Sequence, residues 1–357
     1  MGPGQRIVEA NQEIRSWLPD HEFIGRSFSD VLTGAVCRNR LVSRVSDCLD
    51  GTPFELEIRA EMPVGRRWLH ISGHPLGGCK SDPQKAVLTL RDVTRRRRLA
   101  KRHGITGRVL RRLNRSGEVS GMIRDILREI KSGFDMEAAA LRLRKGEDFP
   151  YHESEGFSED FIREESFLCR RDGEILRDPD GRAMLACMCG SVISGHFDSR
   201  REGFTRGGSF WSPDLCGVVS EIAGTHLAEA TRQRCHLEGY RTAALVPIKS
   251  GDAIIGLLQL ADPRPNKLGE ADIAFLEQLG HSIGVAVARV ADEERLREKE
   301  ADLQRAQSVA HWGSWRFDLD TRLVQASPEA RRIYGLDKET PRSPTCSSFP
   351  CPPFDRC

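Results

Sequence analysis

The sequence lacks a long hydrophobic run, and no apolar stretch approaches the ~20 residues that a transmembrane helix needs. The first residues also lack the apolar segment of a secretory signal peptide. Neither sign of charge is in excess, because 54 Lys and Arg balance 52 Asp and Glu. These absences predict a soluble, cytoplasmic protein that binds neither membranes nor nucleic acid.

Several catalytic motifs are absent as well. The chain has no P-loop, no nucleophile-elbow serine and no H-E-x-x-H pattern. His281 lies on a predicted helix without the acidic and Arg-Pro context of a phospho-accepting histidine, and the chain has no glycine-rich ATP-binding boxes. We therefore expect that the chain as it stands is not an enzyme.

What the sequence does contain is enough chain for two or three domains, since it has 357 residues, of which 39% are hydrophobic. Eleven cysteines in a reducing compartment indicate core thiols, metal ligands or redox groups rather than a disulfide framework. A basic stretch over 91–115 contains eleven Lys or Arg and one acidic residue. It lacks aromatic residues for base stacking, so we interpret 99–117 as a solvated helical linker between domains.

Before that linker, short strands alternate with turns in an α+β layout. Phe54, Leu56 and Ile58 alternate with charged residues, which is the period of a half-buried strand. Three segments resemble those of a PAS domain over residues 1–98: Ile7-Val8-Glu9-Ala10-Asn11, Ile24-Gly25-Arg26-Ser27-Phe28 and Leu90-Arg91-Asp92-Val93-Thr94. The first strand of that family would precede Gly4, so the resemblance implies a domain that is incomplete at its N-terminus.

The central region predicts a second α+β domain. It has an amphipathic helix around 123–130, a strand over 137–144 and a polar, glycine-rich stretch over 146–208 without strong periodicity. Two strands, Thr242–Lys249 and Ala253–Ala261, then form a predicted hairpin. A closing helix from Glu270 places five apolar residues on one stripe: Ile273, Leu276, Leu279, Ile283 and Val287.

This order resembles a cysteine-bearing subfamily of GAF domains that occurs in sensor proteins. The resemblance covers 118–291, and three patterns support it: Cys187-Met188-Cys189-Gly190, Gly207-Gly208-Ser209-Phe210-Trp211 and Arg232-Gln233-Arg234-Cys235. It implies an antiparallel sheet with flanking helices, and a small ligand held between the sheet and its covering loops.

The central cysteines are the candidate site. Cys187 and Cys189 would point to the same side of an extended segment, and a turn at Gly190 could bring both sulfurs to one ion. Cys235 and His236 follow at the end of a predicted helix, and Cys169 matches a cysteine of the same subfamily. A set of four thiols would suit zinc or an iron–sulfur centre: Cys169, Cys187, Cys189 and Cys235. A haem is a further possibility, and six residues are predicted to bind the cofactor: Cys187, Cys189, Phe210, Trp211, Cys235 and His236.

Two other interpretations of these residues remain open. Buried free cysteines are commonly core residues, and an aromatic pair beside a loop is often packing. Alternatively, the resemblance extends to GAF proteins that reduce oxidised methionine through paired cysteines, with one thiolate attacking and another resolving it as a disulfide. In this chain, Cys187, Cys189 and Cys235 are the candidates for such chemistry.

Residues 292–307 predict a signalling helix, with Leu296, Leu303 and Ala310 seven apart. Then Trp312-Gly313-Ser314-Trp315 and Ile333-Tyr334-Gly335-Leu336 resemble the opening of a second PAS domain, truncated over 308–340. We interpret 341–357 as an irregular tail that replaces the rest of this domain.

Together these features predict the sensory input region of a two-component histidine kinase whose catalytic domains are absent from this chain. A small molecule, metal, haem or redox signal would be relayed through helical linkers, at which the chain forms a homodimer. A response regulator would be a partner only through the missing kinase domain.

Overall fold

The computed structural model describes residues 5–12, 14, 24–28, 38–62, 65–76, 85–114, 119–171, 174–177, 180–195, 203–217, 233–318, 320–321 and 323–336. The predicted tail over 341–357 lies outside this set. The chain divides into two compact units, one formed by 1–112 and 129–135 and the other by 113–128 and 136–357.

The first unit contains a three-stranded antiparallel sheet. Its strands are β1 (Phe54–Met62), β2 (Gly65–Leu76) and β3 (Lys85–Asp92), in the order β1-β2-β3. Helix α1 (Arg38–Leu49) contributes Leu41 and Val45 to the same core as the sheet. Phe54, Leu56 and Ile58 are buried, which confirms the strand that the period of two predicted.

Helix α2 (Thr94–Leu113) begins two residues after β3 and contains most of the basic stretch. Thr94 fixes this junction, because its N–H donates to Asp92 Oδ1 at 2.8 Å and its hydroxyl accepts from the Trp68 N–H at 2.8 Å. One turn later, Arg97 lies over the Trp68 ring at 4.0 Å and shares the Glu57 carboxylate with Arg96. The first arginines of the helix are therefore bound to the sheet rather than fully solvated.

Helix α3 (Val119–Phe134) buries Ile123, Ile126 and Leu127, as its spacing predicts. The second unit is built on a five-stranded antiparallel sheet in the order β5-β4-β10-β9-β8. Its strands are β4 (Ala138–Leu143), β5 (Tyr151–Glu155), β8 (Phe210–Ser212), β9 (Thr242–Ser250) and β10 (Ala253–Asp262). The predicted hairpin is the pair β9 and β10, joined at Gly251 and Asp252.

The stretch over 146–208 is more ordered than its sequence predicted. In addition to β5 it contains helix α4 (Glu159–Glu165), the short strands β6 (Arg170–Arg171) and β7 (Glu174–Ile175), and helix α5 (Cys187–Ile193). Capping explains α4, because the Ser158 hydroxyl accepts from the Phe161 N–H at 3.1 Å. The two helices have seven residues each, so neither is long enough to produce a clear 3.6-residue period.

Helix α6 (Arg234–Leu237) precedes β9, and helix α7 (Glu270–Val309) follows β10. The residues of β9 alternate between two layers, since Ala243 and Leu245 belong to an apolar cluster with α5 while Val246 and Ile248 face α7. Gly280 and Gly284 permit a close approach of α7 to β9: a Cβ on Gly284 would overlap the carbonyl of Lys249. Strand β9 is therefore held between α5 and α7.

Helix α7 is continuous over 40 residues, or about 60 Å. Its buried positions end at Val287, and the five residues of the predicted stripe are all among them. The remainder includes the predicted signalling helix, on which Leu296 and Leu303 are each 59% exposed. Within the described residues, no helix combines the length and apolarity needed to cross a membrane.

After α7, strands β11 (Trp315–Asp318) and β12 (Leu323–Ala326) pair antiparallel, and helix α8 (Pro328–Ile333) follows. The Ser327 hydroxyl caps α8 by accepting from the Ala330 N–H at 3.2 Å. Trp315 and Tyr334 meet edge to face, with their ring centroids 5.5 Å apart. The second PAS domain stays a prediction for this segment, and its predicted end at 337–340 lies outside the described residues.

Candidate functional site

The candidate site lies on the face of the five-stranded sheet that α5 covers. Thirteen buried residues from the strands, α5 and the connecting loops form one apolar cluster there: Ala138, Phe149, Leu168, Cys189, Val192, Ile193, Phe210, Leu215, Tyr240, Ala243, Leu245, Leu257 and Ala261. Met188 and Cys235 are partly buried against it. Of the three thiols considered for redox chemistry, Cys189 therefore belongs to this cluster and Cys235 packs against it.

A tight turn places Cys187 at the start of α5. Cys187 has a φ of 68°, a left-handed conformation that non-glycine residues rarely adopt and that costs about 1 kcal/mol. Gly190 allows the turn to close, because a Cβ there would overlap the Leu185 carbonyl. The predicted extended segment at Cys187 and Cys189 is wrong, since both residues belong to the first turn of a helix.

The two thiols of this turn shift each other's pKa in opposite directions. The Cys189 thiol donates to the Cys187 sulfur, and this bond lowers the pKa of Cys187 to about 7 against the opposing effects of burial and the Glu165 charge. The backbone N–H groups of Met188 and Cys189 also donate to the Cys187 sulfur and lower its pKa further. The same sulfur–sulfur bond, together with burial, raises the pKa of Cys189 well above that of an ordinary thiol. The turn therefore contains one sulfur that readily ionises beside one that keeps its proton.

Cys235 approaches the same pair from α6. Its sulfur accepts a hydrogen bond from Gln259 Nε2 at 3.4 Å, and Gln259 Oε1 accepts from the Tyr151 hydroxyl at 2.8 Å. Burial raises the pKa of Cys235 strongly, and the negative charge of Cys187 raises it further. Cys235 is therefore a protonated thiol within electrostatic range of Cys187.

A buried arginine lies beneath these groups. Arg142 on β4 is 1% exposed, and its guanidinium donates to the carbonyls of Phe149 at 3.0 Å, Ser166 at 2.9 Å and Glu165. It also lies 3.6 Å from the centroid of the Tyr151 ring. Among the described residues, its Nε has no hydrogen-bond partner. Its positive charge acts on Cys189 and Cys235, where it opposes the rise in the pKa of each.

Aromatic rings form one wall of the site. Phe157 stacks on Phe161 with centroids 4.8 Å apart, and Tyr240 meets the edge of Phe157 at 5.5 Å. Burial raises the pKa of Tyr240 to about 12, and the nearby Cys235 adds to this shift. Sequence reasoning missed these rings and Arg142, because all except Tyr240 lie in or beside the stretch that it interpreted as a loop or a simple half-buried strand.

The other predicted site residues lie in different directions. Phe210 joins the apolar cluster, but Trp211 is the next residue of β8 and so points to the opposite face of the sheet. His236 is half-buried beside Cys235 on α6, about 100° further around the helix. Cys169 is fully buried next to Leu168, whose carbonyl accepts from the Ala186 N–H at 3.0 Å.

No three side chains of His, Cys, Asp or Glu lie together in a metal-binding arrangement in the described part of the chain. The bond between the sulfurs of Cys187 and Cys189, and the protonated state that burial favours for Cys235, suit thiol chemistry better than a set of four thiolates. We therefore derive no step through a metal, and the metal and haem sites stay predictions.

A hydrogen-bonded loop connects β8 to α7. The hydroxyls of Thr205 and Ser209 both donate to Glu277 Oε1 on α7, the second at 2.7 Å. Lys249 Nζ on β9 donates to the Gly207 carbonyl at 2.9 Å. Two residues that the sequence pattern singled out are thus bound to neighbouring elements, Gly207 to β9 and Ser209 to the closing helix.

Comparison with protein families agrees with this architecture. The family model described as a GAF domain matches residues 119–287, and the model described as a PAS fold matches residues 1–98. No curated protein matches the chain.

Solved structures similar to the chain include the GAF domain of a phosphoenolpyruvate-protein phosphotransferase from Coxiella burnetii, at 12% identity, with 55% of this chain and 98% of that one covered and a TM-score of 0.40. A domain from a two-component sensor histidine kinase protein of Sinorhizobium meliloti 1021 has 12% identity, coverage of 51% and 99%, and a TM-score of 0.34. A free methionine-R-sulfoxide reductase from Neisseria meningitidis has 13% identity, coverage of 54% and 93%, and a TM-score of 0.37.

The family matches and the two mixed helix-and-sheet units define a multidomain protein with a PAS domain and a GAF domain. The chain therefore contains the two domain types that these models describe, a PAS fold and a GAF domain. Their presence supports a role as a sensor in signalling.

Proposed function

We propose that this chain is the cytoplasmic sensory input region of a phosphorelay protein, and that its GAF domain controls helix α7. The observation that carries the proposal is the packing of α7. The first part of this helix contacts β9 through Gly280 and Gly284, whereas the part beyond Val287 is exposed. A signal that shifts β9 therefore acts directly on a helix that extends beyond the GAF sheet.

The exposed part of α7 has the features of a homodimer contact. Val285, Leu296 and Leu303 are each more than half exposed, and their spacings of 11 and 7 residues place them on one helix face. Val285 and Leu296 border an open groove of about 460 Å³ that also contains charges of both signs, from Arg289, Asp292 and Glu293. A second copy of the same face would supply both apolar contacts and complementary charges. A kinase output domain outside this chain would then respond to the paired helices.

The dimer is tested by sedimentation of the full chain and of a Leu296→Glu, Leu303→Glu variant. We expect the dissociation constant of the dimer to rise at least tenfold in the variant. Leu237→Glu is the control, because Leu237 is 70% exposed but lies on α6. Equal dissociation constants for all three proteins would contradict the proposed contact.

The relay is tested in two stages. A thermal-shift screen of nucleotides, amino acids and organic acids first identifies compounds that stabilise the full chain. Hydrogen exchange of the full chain is then measured with and without each of these compounds. A compound that stabilises the GAF domain is expected to change exchange in residues 292–309 as well. Stabilisation by several compounds with exchange in 292–309 unchanged would contradict control of α7 by the GAF domain.

A second candidate function is reduction of a sulfoxide, which the hydrogen-bonded pair Cys187 and Cys189 favours. In such a reaction two thiols become a disulfide, and the sulfoxide oxygen leaves as water. The test is incubation of the reduced full chain with free methionine sulfoxide under argon. Formation of one methionine per chain, and repeated turnover in excess dithiothreitol, would establish that the chain is an enzyme. If no methionine forms, the reductase proposal fails and the sensory function is the one that stands.

A further inference from the structure

The loop that leads into β8 is a β-hairpin, formed by residues 203–211. Phe204 pairs with Phe210 in an antiparallel bridge. Closer to the tip, the Thr205 N–H donates to the Ser209 carbonyl at 2.9 Å. The second arm of the hairpin continues into β8, which is the last strand in the order of the five-stranded sheet. The hairpin therefore lies at an edge of the sheet.

The two faces of this hairpin have different contacts. Opposite residues of an antiparallel pair share a face, and successive pairs alternate between faces. Phe204 and Phe210 both pack in the apolar cluster that α5 covers, with their ring centroids 5.3 Å apart. Thr205 and Ser209 form the next pair, and both of their hydroxyls donate to Glu277 Oε1 on α7. One hairpin thus contacts the cluster with one face and α7 with the other.

The tip of the hairpin lies directly against Glu277. A Cβ on Gly207 would be 2.4 Å from the Glu277 Cδ, so only glycine fits between the tip and this carboxyl group. The Gly207 carbonyl also accepts from Lys249 Nζ at 2.9 Å. Ser209 is fully buried, and hydrogen bonds to a carboxylate are stronger than those between neutral groups. The tip is therefore closely bound to α7 and to β9.

Glu277 lies on the face of α7 that meets the sheet. It precedes Gly280 by three residues and Gly284 by seven, and these spacings place all three on one side of the helix. Gly280 and Gly284 are the positions at which α7 approaches β9 closely. The helix rises about 10.5 Å from Glu277 to Gly284. Helix α7 is thus attached to the sheet at two separate places, to the hairpin at Glu277 and to β9 at the glycines.

From this geometry we infer that the hairpin couples the apolar cluster under α5 to α7, and that Glu277 transmits the movement. A ligand or rearrangement that displaces Phe204 or Phe210 moves the hairpin, and the hydroxyls of Thr205 and Ser209 move Glu277 with it. The inference rests on the proposed sensory function and gives the signal a route to α7 besides β9.

The test uses the full chain and a Phe204→Leu substitution, which perturbs the face of the hairpin in the cluster. Hydrogen exchange of peptides from 270–284 measures the response of the part of α7 that contacts the sheet. We expect Phe204→Leu to change the exchange rate there about threefold. In a chain with Thr205→Val and Ser209→Ala, which lacks both hydroxyl donors, we expect the same substitution to change it by less than about 1.5-fold.

Two matched controls isolate the hydroxyl contacts. Phe157→Leu makes the same change in a ring that packs against the same cluster from outside the hairpin, so its effect on 270–284 should not depend on the two hydroxyls. Ser282→Ala removes an α7 hydroxyl that donates to the Gln278 carbonyl, so Phe204→Leu should keep its full effect in that background. Equal responses to Phe204→Leu with and without the hairpin hydroxyls would overturn the inference.

Variants of Glu277 test the same contact if the chain without the hydroxyls does not fold. Glu277→Met has a side chain of similar length, but its thioether is only a weak acceptor, whereas Glu277→Gln keeps an oxygen that accepts from both hydroxyls. We expect the response to Phe204→Leu to be lost in Glu277→Met and largely retained in Glu277→Gln. Equal responses in these two backgrounds would overturn the assignment of Glu277.

Exchange in 292–309, measured in the same samples, separates this inference from the proposed function. If exchange in 270–284 responds to Phe204→Leu only when the hydroxyls are present, and 292–309 stays unchanged, the hairpin contact is established and the relay along α7 fails. If both segments respond equally with and without the hydroxyls, the relay is supported and the role of the hairpin is overturned.

Discussion

Cys48 in the PAS domain and Cys187 in the GAF domain are both free cysteines, but their surroundings have opposite effects on the thiol pKa. Cys48 is fully buried in a cluster of apolar side chains, and burial raises the pKa of its thiol. Hydrogen bonding from the Cys189 thiol, and then from the backbone of Met188 and Cys189, lowers the pKa of Cys187 despite burial. Local donors, rather than burial alone, decide which cysteine can react.

The difference extends to the two cores as wholes. The buried cluster of the PAS sheet is apolar, and its polar contacts, between Glu57, Arg96 and Arg97, lie at the surface. The cluster of the GAF domain contains Cys189 and contacts Cys235, and a buried arginine and a Tyr–Gln pair lie beside these thiols. The first arrangement suits a stable scaffold, whereas the second contains groups whose charge can change.

The largest effect that would sharpen this contrast is expected at the buried arginine. Arg142→Met leaves three carbonyls without their donor, so we expect the free energy of unfolding of the GAF domain to fall by about 4 kcal/mol. Hydrogen exchange in urea, followed in β4 and β10 and with β1 and β2 as the internal reference, measures it. Arg144→Met, at an exposed position of the same segment, is expected to change stability by less than about 0.5 kcal/mol. An equal loss of unfolding free energy in Arg142→Met and Arg144→Met would contradict a special role for the buried arginine.

A smaller effect is expected from added methyl groups at close contacts. Gly284→Ala forces a Cβ against the Lys249 backbone, and we expect it to cost the GAF domain about 3 kcal/mol. In the PAS domain, Gly73→Ala meets the ring of Phe54, which can rotate, so about 1 kcal/mol is expected. Gly121→Ala is the control, because nothing lies within 4 Å of its added Cβ and alanine favours the helix. Urea unfolding measures the loss of stability in each variant. A larger loss in Gly73→Ala than in Gly284→Ala would contradict the expected order.

The two thiols can be compared directly by alkylation. The rate at Cys187 is expected to rise with pH to a midpoint near 7, whereas Cys48 stays unreactive below the unfolding pH. Cys189→Ala removes a donor to the Cys187 sulfur, so its pKa rises and its rate at pH 6 falls about tenfold. Cys189→Ser keeps a hydroxyl donor and is expected to show a smaller shift. An unchanged midpoint in Cys189→Ala would refute the role of the sulfur–sulfur bond.

The smallest effect is expected at the surface of the PAS sheet. Burial would raise the pKa of Glu57, but the hydrogen bond and charge of Arg97, then the charge of Arg96, lower it overall. A lowered pKa stabilises the fold at neutral pH, and that contribution disappears as the pH falls below about 4.5 through the pKa of the folded protein. Glu57→Gln is therefore expected to cost under about 1 kcal/mol at pH 7 and nothing at pH 3. Thermal unfolding at both pH values checks this, with exposed Glu55→Gln as the control.

The elements that the sequence predicted well have long, regular patterns. The stripe of α7 and the alternation of β1 were read directly because each repeats several times in one element. The turn at Cys187 could not be predicted in the same way, since its shape depends on a positive φ and on the contact between Gly190 and Leu185.

Arg142 shows why part of the site was missed. Alternation placed Leu141 and Leu143 on the core side of β4, which left Arg142 on the side expected to face solvent. The neighbouring run Ala138-Ala139-Ala140 was the available signal, because apolar residues of both parities indicate a strand buried on both faces. The three carbonyls that accept from Arg142 belong to Phe149, seven residues along the chain, and to Glu165 and Ser166 at the end of α4, so only the tertiary structure brings them together.

Helix α7 also has a mechanical consequence. Gly280 and Gly284 hold it against β9 near one end, and about 37 Å of helix extends from that point to Val309. The helix can therefore act as a rigid arm that pivots at its contact with β9. A tilt of about 5° at the glycines displaces the far end by about 3 Å, so a small shift of β9 becomes a larger motion at the exposed end of α7.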